Sequence, residues 1–266
     1  MSTSSNKATL SLLNMTKEMF KKNIEISRIT KTCTLLLLSG LSPLSIDHDI
    51  VQACIKSQNS DGGFVGNTDT IWNIKMLEYF PQFSEERNLA IKWLINGNIE
   101  EGGFGRSKRD MHRIPVTGLA LYLLPKIANV IHLNWLEKTW LSEKNSLTYK
   151  AAYTLLAFNE CKYEPSNPHI LNQTADWLAS QQEGNGGFAP WLNHPVGADI
   201  YCTAVATIAL LEIDKVKFKE IITKAYEYMK TTQLRSGIWP YHEIEDGASW
   251  GLYALTKCES LLGNAL

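Results

Sequence analysis

The sequence predicts an all-α fold, an (α/α)6 toroid (barrel) of about twelve helices in six hairpins. Three observations support it: a Gly-aromatic turn recurs along the chain, amphipathic segments alternate with segments that are apolar nearly all round, and strand patterns are nearly absent. The 266 residues, 44% of them hydrophobic, suffice for one large domain with a real core. We therefore expect a single toroid domain over residues 1–266, with residues 1–7 flexible.

The repeated turn places glycines directly before a Phe or Trp. It occurs in residues 58–64, 100–104 and 181–188, with a degenerate copy in 233–239. The aromatic residues are 40, 84 and 51 positions apart, and because 84 is twice 42 we expect an unmarked copy near residue 146, in the loop 142–147. Glycine adopts positive φ readily, so each turn should reverse the backbone after an outer helix, with the aromatic ring filling the space before the next inner helix.

Apolar residues at three- and four-residue spacing predict the helices. The segment 216–231 has one charged face and is typical of an outer layer, whereas 114–124 and 201–211 are apolar nearly all round and typical of an inner layer. In chain order the predicted helices span residues 8–23, 27–41, 47–57, 69–80, 85–96, 113–125, 133–141, 147–159, 168–181, 199–212, 216–231 and 246–262.

Composition excludes several classes of function. The 26 Lys and Arg residues balance 27 Asp and Glu, so nothing indicates a nucleic-acid partner. No apolar stretch approaches the roughly 20 residues of a membrane span, and the N-terminus has no apolar signal core. Five scattered cysteines without a CxxC pair favour neither a disulfide framework nor a structural zinc site. A reducing, cytoplasmic location is the simplest expectation.

The Gly-Gly-aromatic turns, each preceded by Gln or Glu, resemble the QW repeats of terpenoid cyclases (squalene-hopene cyclase-like) and of protein prenyltransferase β-subunits, over residues 27–262. This resemblance implies the α/α toroid. It also implies an enzyme that cyclises or isomerises an apolar, isoprenoid-derived small molecule in the central cavity by acid/base chemistry.

The sequence Asp-Ile-Tyr-Cys-Thr-Ala at 199–204 resembles the DxDDTA motif of class II cyclases and the DCTA motif of oxidosqualene cyclases. The match places Asp199 at the first aspartate, Cys202 at the cysteine, and Tyr201 where the family has its proton donor. A phenol has a pKa about six units above that of Asp, so it is a weaker acid by about 8 kcal/mol. Tyr201 is therefore a poor donor to an alkene, although a phenol can protonate a carbonyl and its ring can stabilise a cation.

Acidic residues stand at or near the predicted starts of four inner helices. Each is either an N-cap or, if desolvated, a general acid or base. Asp199 is the first candidate for the acid, because it shares a turn with Tyr201 and Cys202. Asp110 is the second, because His112 and Arg113 follow it. The four residues are Asp69, Asp110, Asp199 and Asp246.

The basic cluster 106–113 is either a solvated loop or a clamp for a diphosphate or carboxylate at the cavity mouth. Within it, Arg113 is a candidate for substrate binding and His112 for proton transfer near neutral pH. Aromatic residues near the inner helices either line the cavity or simply fill the barrel. The remaining candidates for substrate binding are Trp72, Tyr149, Tyr153, Asp246 and Trp250.

No cofactor is expected, with zinc and magnesium left open. Protein prenyltransferases hold zinc with an Asp-x-Cys pair and a distant His, whereas here two residues separate Asp199 from Cys202 and no His opens the last helix. Three alternatives remain beside the cyclase: a non-catalytic or accessory binding toroid in a biosynthetic pathway, a zinc-type prenyltransferase with a changed metal set and, last, a carbohydrate-active barrel. Because prenyltransferases are heterodimers, a second subunit also stays open.

Overall fold

The computed structural model describes residues 2–96 and 102–262, and in this part of the chain the secondary structure is helical except for an isolated β-bridge between Phe188 and Asp199. Three short 3-10 helices lie at Pro43–Ser45, Pro81–Phe83 and Pro125–Ile127. The α-helices are α1 (Thr3–Lys21), α2 (Ile26–Leu38), α3 (His48–Lys56), α4 (Asn67–Leu77), α5 (Ser84–Asn96), α6 (Ile114–Leu123), α7 (Val130–Glu143), α8 (Thr148–Glu160), α9 (Ile170–Ser180), α10 (Ile200–Asp214), α11 (Lys219–Thr232) and α12 (Ile244–Leu262).

The even-numbered helices form an inner ring. Each packs against the next, and α12 packs against α2, which closes the ring. The odd-numbered helices pack around it. Eleven of the 15 residues of α10 are buried, against three of the 14 in α11, as expected for an inner and an outer helix. The structure thus confirms the (α/α)6 toroid. None of the helices in the described part combines the length and apolar character that crossing a membrane requires.

The first helix starts before the predicted residue 8, and the flexibility expected for residues 1–7 stays a prediction. It begins at Thr3, five residues before the predicted start, because the Ser2 side chain caps it by accepting the Ser5 N–H. Ser5 is buried and its hydroxyl donates to Glu259 on α12. Polar contacts of this kind leave no hydrophobic period in the sequence, so the pattern could not reveal them.

The Gly-aromatic turns are held by a repeated hydrogen-bond pattern. The first glycine of each turn has a positive φ, as predicted, for example 92° at Gly62 and 89° at Gly186. Four residues earlier, a Gln side chain donates both to this glycine's carbonyl and to a carbonyl in the first turn of the next outer helix. The pairs of acceptors are Gly62 and Glu86 for Gln58, Gly186 and Ile221 for Gln182, and Gly237 and Ser4 for Gln233. The last of these connects α11 to α1.

A second repeated bond connects each turn to the next inner helix. The backbone N–H of the buried Phe donates to a Thr hydroxyl one turn into that helix. The pairs are Phe64 with Thr70 (3.1 Å), Phe104 with Thr117 (2.8 Å) and Phe188 with Thr203 (2.9 Å). Thr203, which the resemblance aligned with the end of the cyclase motif, therefore has a structural role that two other helices share.

The unmarked copy of the turn that we predicted near residue 146 falls in the connection between α7 and α8, residues 144–147. The Thr148 hydroxyl at the start of α8 donates to the Ala189 carbonyl of the following turn at 2.6 Å. Glu100 and Glu101, which open the second copy, lie outside the described residues.

Candidate active site

A cavity of about 1570 Å³ occupies the end of the barrel at which the inner helices begin. Each inner helix contributes to its wall, which explains why the candidates are scattered along the sequence. Because six helix N-termini converge here, their dipoles favour negative charge in or near the cavity. One residue from each helix in turn is Lys31, Trp72, Val116, Tyr153, Tyr201 and Asp246.

Tyr201 lies at the centre of an aromatic cluster. Its hydroxyl is 3.0 Å from that of Tyr153, its ring stacks on Tyr241 with centroids 5.9 Å apart, and it meets Trp250 edge-on at 6.2 Å. The ring centroid of Tyr149 lies 6.4 Å from that of Tyr201. Tyr153, Tyr241 and Tyr149 all line the cavity. The sequence reasoning missed Tyr241, whose only signal is its position between a Gly-aromatic turn and an inner helix.

Trp250, a predicted substrate-binding residue, does not line the cavity. It is fully buried below the cavity wall, and its ring centroid lies 6.0 Å from that of Trp72 and 6.1 Å from that of Tyr153. The residues next to Trp250 in α12 are mostly apolar or small, so the sequence did not indicate which side of the helix would face the cavity. Trp250 therefore supports the aromatic wall, whereas Trp72 is part of it.

Asp199 combines the two roles that the sequence offered for it. It is the N-cap of α10, where Oδ1 accepts the Cys202 N–H at 2.7 Å, and it also lines the cavity. Burial raises the pKa of its carboxyl, outweighing the bonds from Cys202 and the charge of His242, which lower it. Burial also raises the pKa of the Cys202 thiol, which hydrogen-bonds to this carboxyl.

Two other acidic groups of the cavity, Tyr201 and Asp246, differ from Asp199. Burial and the nearby Tyr153 and Asp246 raise the pKa of Tyr201 well above its ordinary value, which makes this phenol a still weaker proton donor. Asp246 forms an ion pair with Lys31, with Nζ 2.5 Å from Oδ1. Lys31 was not among the predicted residues, since a single Lys in an apolar helix gave no indication of its partner.

In the structure, the residues of the predicted basic cluster 106–113 fall into two groups. Arg106, His112 and Arg113 line the cavity mouth, whereas Lys108 lies over the ring of Trp93 at 3.8 Å. Arg106 and Arg113 are exposed and form no ion pair within residues 2–96 and 102–262.

Asp110, the second candidate for the acid, is not brought to the cavity wall. Its backbone closes the 105–113 segment against Gly105, where any side chain on the glycine would lie 2.5 Å from the Asp110 carbonyl oxygen. The sequence placed Asp110 next to an inner helix, but three residues of non-helical chain, 111–113, separate it from the start of α6.

The comparisons with known proteins agree with this architecture. The sequence profile of the prenyltransferase alpha-alpha toroid domain matches residues 70–135 and 129–265, more than half of the chain. The chain belongs to this family. No curated protein matches the sequence significantly.

Solved structures with this toroid are similar in fold but distant in sequence. The apo form of MstE, a type II terpene cyclase from Scytonema, is 15% identical with a TM-score of 0.73, over 97% of this chain and 99% of that one. A variant of MstE in complex with geranylgeranyl dihydroxybenzoate, its substrate, is 15% identical with a TM-score of 0.72 over the same shares. A protein from Actinoplanes is 11% identical, with a TM-score of 0.69 over 94% and 99%. Such likeness shows the fold.

The zinc set of protein prenyltransferases does not fit this member of the toroid family. Among the described residues, no three His, Cys, Asp or Glu side chains are grouped so that they could hold a metal ion. Asp199 and Cys202 are adjacent, but His242 is an exposed loop residue.

Proposed function

We propose that this chain cyclises or isomerises an apolar, isoprenoid-derived molecule in the central cavity by acid catalysis. The observation that carries the proposal is Asp199, a half-buried carboxyl with a raised pKa in the wall of an aromatic cavity. Such a group keeps its proton to higher pH than a solvated Asp and can protonate an alkene or a polar group of the substrate. The aromatic faces around it stabilise a developing cation, by about 2 kcal/mol each when water is excluded.

Asp199 is a better candidate for the acid than Asp246 or Tyr201, which also line the cavity. Asp246 forms an ion pair with Lys31, and the Tyr201 hydroxyl is hydrogen-bonded to that of Tyr153. Cys202 would position the acid: its backbone N–H binds Oδ1, and its thiol, kept neutral by a pKa raised through burial, bonds to the same carboxyl.

Arg106 and Arg113 would hold an anionic end of the substrate at the mouth. Neither has an ion-pair partner among the described residues, and guanidinium groups match carboxylate and phosphate oxygens. That MstE, a structural neighbour, binds geranylgeranyl dihydroxybenzoate supports an isoprenoid chain with a polar head in a cavity of this shape. His112 lies at the same mouth and would serve as a proton carrier.

A non-catalytic binding toroid is the second candidate, favoured by one observation. The position where the related cyclases have their proton donor is Tyr201, and its phenol is both weakly acidic and hydrogen-bonded. A chain that had lost catalysis would keep the aromatic cavity and lose the acid at this position.

A product assay tests the proposal. The purified protein is incubated with isoprenoid diphosphates of increasing length, with isoprenoid-substituted hydroxybenzoates and with squalene-type hydrocarbons, each with and without magnesium, and extracts are read by mass spectrometry. A cyclic or isomerised product supports the enzyme. A ligand that is retained but recovered unchanged contradicts it and favours the binding toroid. Stoichiometric zinc in the purified protein would instead favour a prenyltransferase.

A further inference from the structure

One of the four Gly-aromatic turns lacks the Gln that holds the other three. Four residues before Gly62, Gly186 and Gly237 the chain has Gln, whereas four residues before Gly102 it has Asn98. An Asn side chain is one methylene shorter. The sequence therefore lacks a Gln at the position from which the other turns are connected to the next outer helix.

The position of the equivalent acceptor also differs at this turn. The carbonyl facing the first glycine belongs to Leu89, Lys224 and Lys7 at the three Gln turns, and to Ile131 at Gly102. In the first three cases Gln binds the carbonyl three residues earlier in the same outer helix. Three residues before Ile131 is Ala128, which precedes the start of α7 at Val130. The carbonyl at the equivalent position therefore lies before the outer helix and not in its first turn.

His132, on the first turn of α7, donates a side-chain hydrogen bond to this turn. Its Nδ1 lies 2.8 Å from the Gly102 carbonyl oxygen, the atom that Gln binds in the other turns. Because a carbonyl oxygen only accepts, Nδ1 must carry the proton. Nε2 is buried without a hydrogen-bond partner in the described structure, the ring packs 4.9 Å from Phe104, and burial lowers the pKa of the imidazole. His132 is therefore a neutral, fixed donor.

The Phe188 carbonyl of the 181–188 turn accepts the Asp199 N–H at 3.0 Å, and the turn at Gly102 supports the cavity mouth in the same way. Its Phe104 carbonyl accepts the Arg113 N–H at 3.0 Å. His112 packs against Gly103, and its ring meets that of Trp135 on α7 edge-on at 5.9 Å. The end of the 105–113 segment is thus fixed by the turn that His132 holds.

We propose that His132 is a positioning residue, which fixes the end of the 105–113 segment so that Arg113 stands at the cavity mouth to hold the anionic end of the substrate. His132 has no direct contact with the cavity, since it is buried between α7 and the turn. The inference rests on the proposed function for the identity of the bound group, but not for the effect on the segment itself.

Amide hydrogen exchange tests the structural step without a ligand. His132→Leu removes the donor, whereas His132→Asn places an amide N–H near the position of Nδ1. Amides of residues 103–113 should exchange about tenfold faster in His132→Leu and close to the wild-type rate in His132→Asn. The control is Gln58→Leu, which breaks the matching bond at Gly62 and should accelerate only residues near that turn. Unchanged exchange in 103–113, or equal acceleration along the whole chain, overturns the proposal.

Ligand affinity tests the functional step. Geranyl diphosphate and geraniol share the apolar chain and differ in the anionic end. In His132→Leu the affinity for geranyl diphosphate should fall about tenfold while that for geraniol stays constant, and His132→Asn should restore the difference. A His132→Leu protein that still discriminates as the wild type does contradicts the positioning role. If the wild type itself does not discriminate, the head-group assignment under the proposed function fails, whereas the exchange result still decides the role of His132.

Discussion

The two ends of the barrel contain similar residue types in opposite arrangements. At the mouth, Asp199 is half-buried next to open space, and its carboxyl is bonded only to its own helix. At the far end, the hydroxyls of Tyr122 and Tyr253 are 2.8 Å apart, and Lys257 binds Glu212 at 2.8 Å. The far end is a closed polar cluster, while the mouth leaves the Asp199 carboxyl next to the open cavity.

Helix direction explains the difference. The inner helices begin at the mouth, where their dipoles favour anionic groups, and end at the far side, where they favour a cation such as Lys257. The Asp199 carboxyl and the Tyr201 phenol lie in the wall of the cavity, where burial removes them from bulk water. The comparison indicates that the mouth end is specialised for binding and chemistry, and the far end for stability.

The largest expected effect is on the acid of the mouth. Asp199→Asn keeps the helix cap but removes the proton, so turnover should fall by about 100- to 10,000-fold with the melting temperature nearly unchanged. Asp47→Asn is the matched control, because Asp47 caps the outer helix α3 by the same kind of bond. Product formation by mass spectrometry is the measurement, and full activity in Asp199→Asn would assign the acid elsewhere.

The turns that shape the mouth should be the next most sensitive. Gly186 has a φ of 89°, and a Cβ there would lie 2.5 Å from the Lys224 carbonyl oxygen. Gly186→Ala should therefore cost about 2–4 kcal/mol of unfolding free energy. Gly184 lies two residues away with nothing within 4 Å of an added Cβ, so Gly184→Ala should stay within about 0.5 kcal/mol. Equal urea midpoints for the two variants would contradict this account of the turn.

At the far end, Lys257→Met should reduce stability and spare activity. It leaves the mostly buried Glu212 unpaired, at a cost of about 1–3 kcal/mol in urea unfolding. Lys230→Met, which breaks an exposed pair with Glu227, should change stability by less than about 0.5 kcal/mol. Turnover per folded molecule should match the wild type in both, and a selective loss of turnover in Lys257→Met would show that the far end takes part in the chemistry.

The smallest effect is expected for Tyr201→Phe. The variant loses the bond to Tyr153 but keeps the ring, so stability should fall by about 1 kcal/mol and turnover by less than about threefold. Steady-state kinetics on the substrate found in the product assay provides the comparison. A loss of turnover as large as in Asp199→Asn would make the phenol the donor.

The fold could be predicted from the sequence because its signals are local and repeated. The glycine pairs require a particular backbone conformation, and the contrast between α10 and α11 in apolar pattern reports directly on inner and outer layers. The start of α7 was less visible, since Asn129 caps the helix and α7 begins at Val130, three residues before the predicted start.

The candidate site was predictable only in part. Asp199, Tyr201 and Tyr153 carry family or helix-position signals, and the structure brings them to one cavity. Which way a side chain points from an apolar helix depends on the packing of all six hairpins, so the burial of Trp250 and the pairing of Lys31 could not be inferred from spacing. The role of a second subunit stays a prediction.

A pH–rate profile tests the central claim that Asp199, rather than Tyr201, is the acid of the mouth. The acid must be protonated, so the rate should fall tenfold per pH unit above the pKa of Asp199. Burial raises that pKa above the ordinary value of 3.8. With a substrate that does not titrate in this range, we therefore expect a steady decline between about pH 7 and 9. Tyr201, whose pKa lies well above 10, would stay protonated throughout. A rate that is constant from neutral pH to pH 9 would contradict the account.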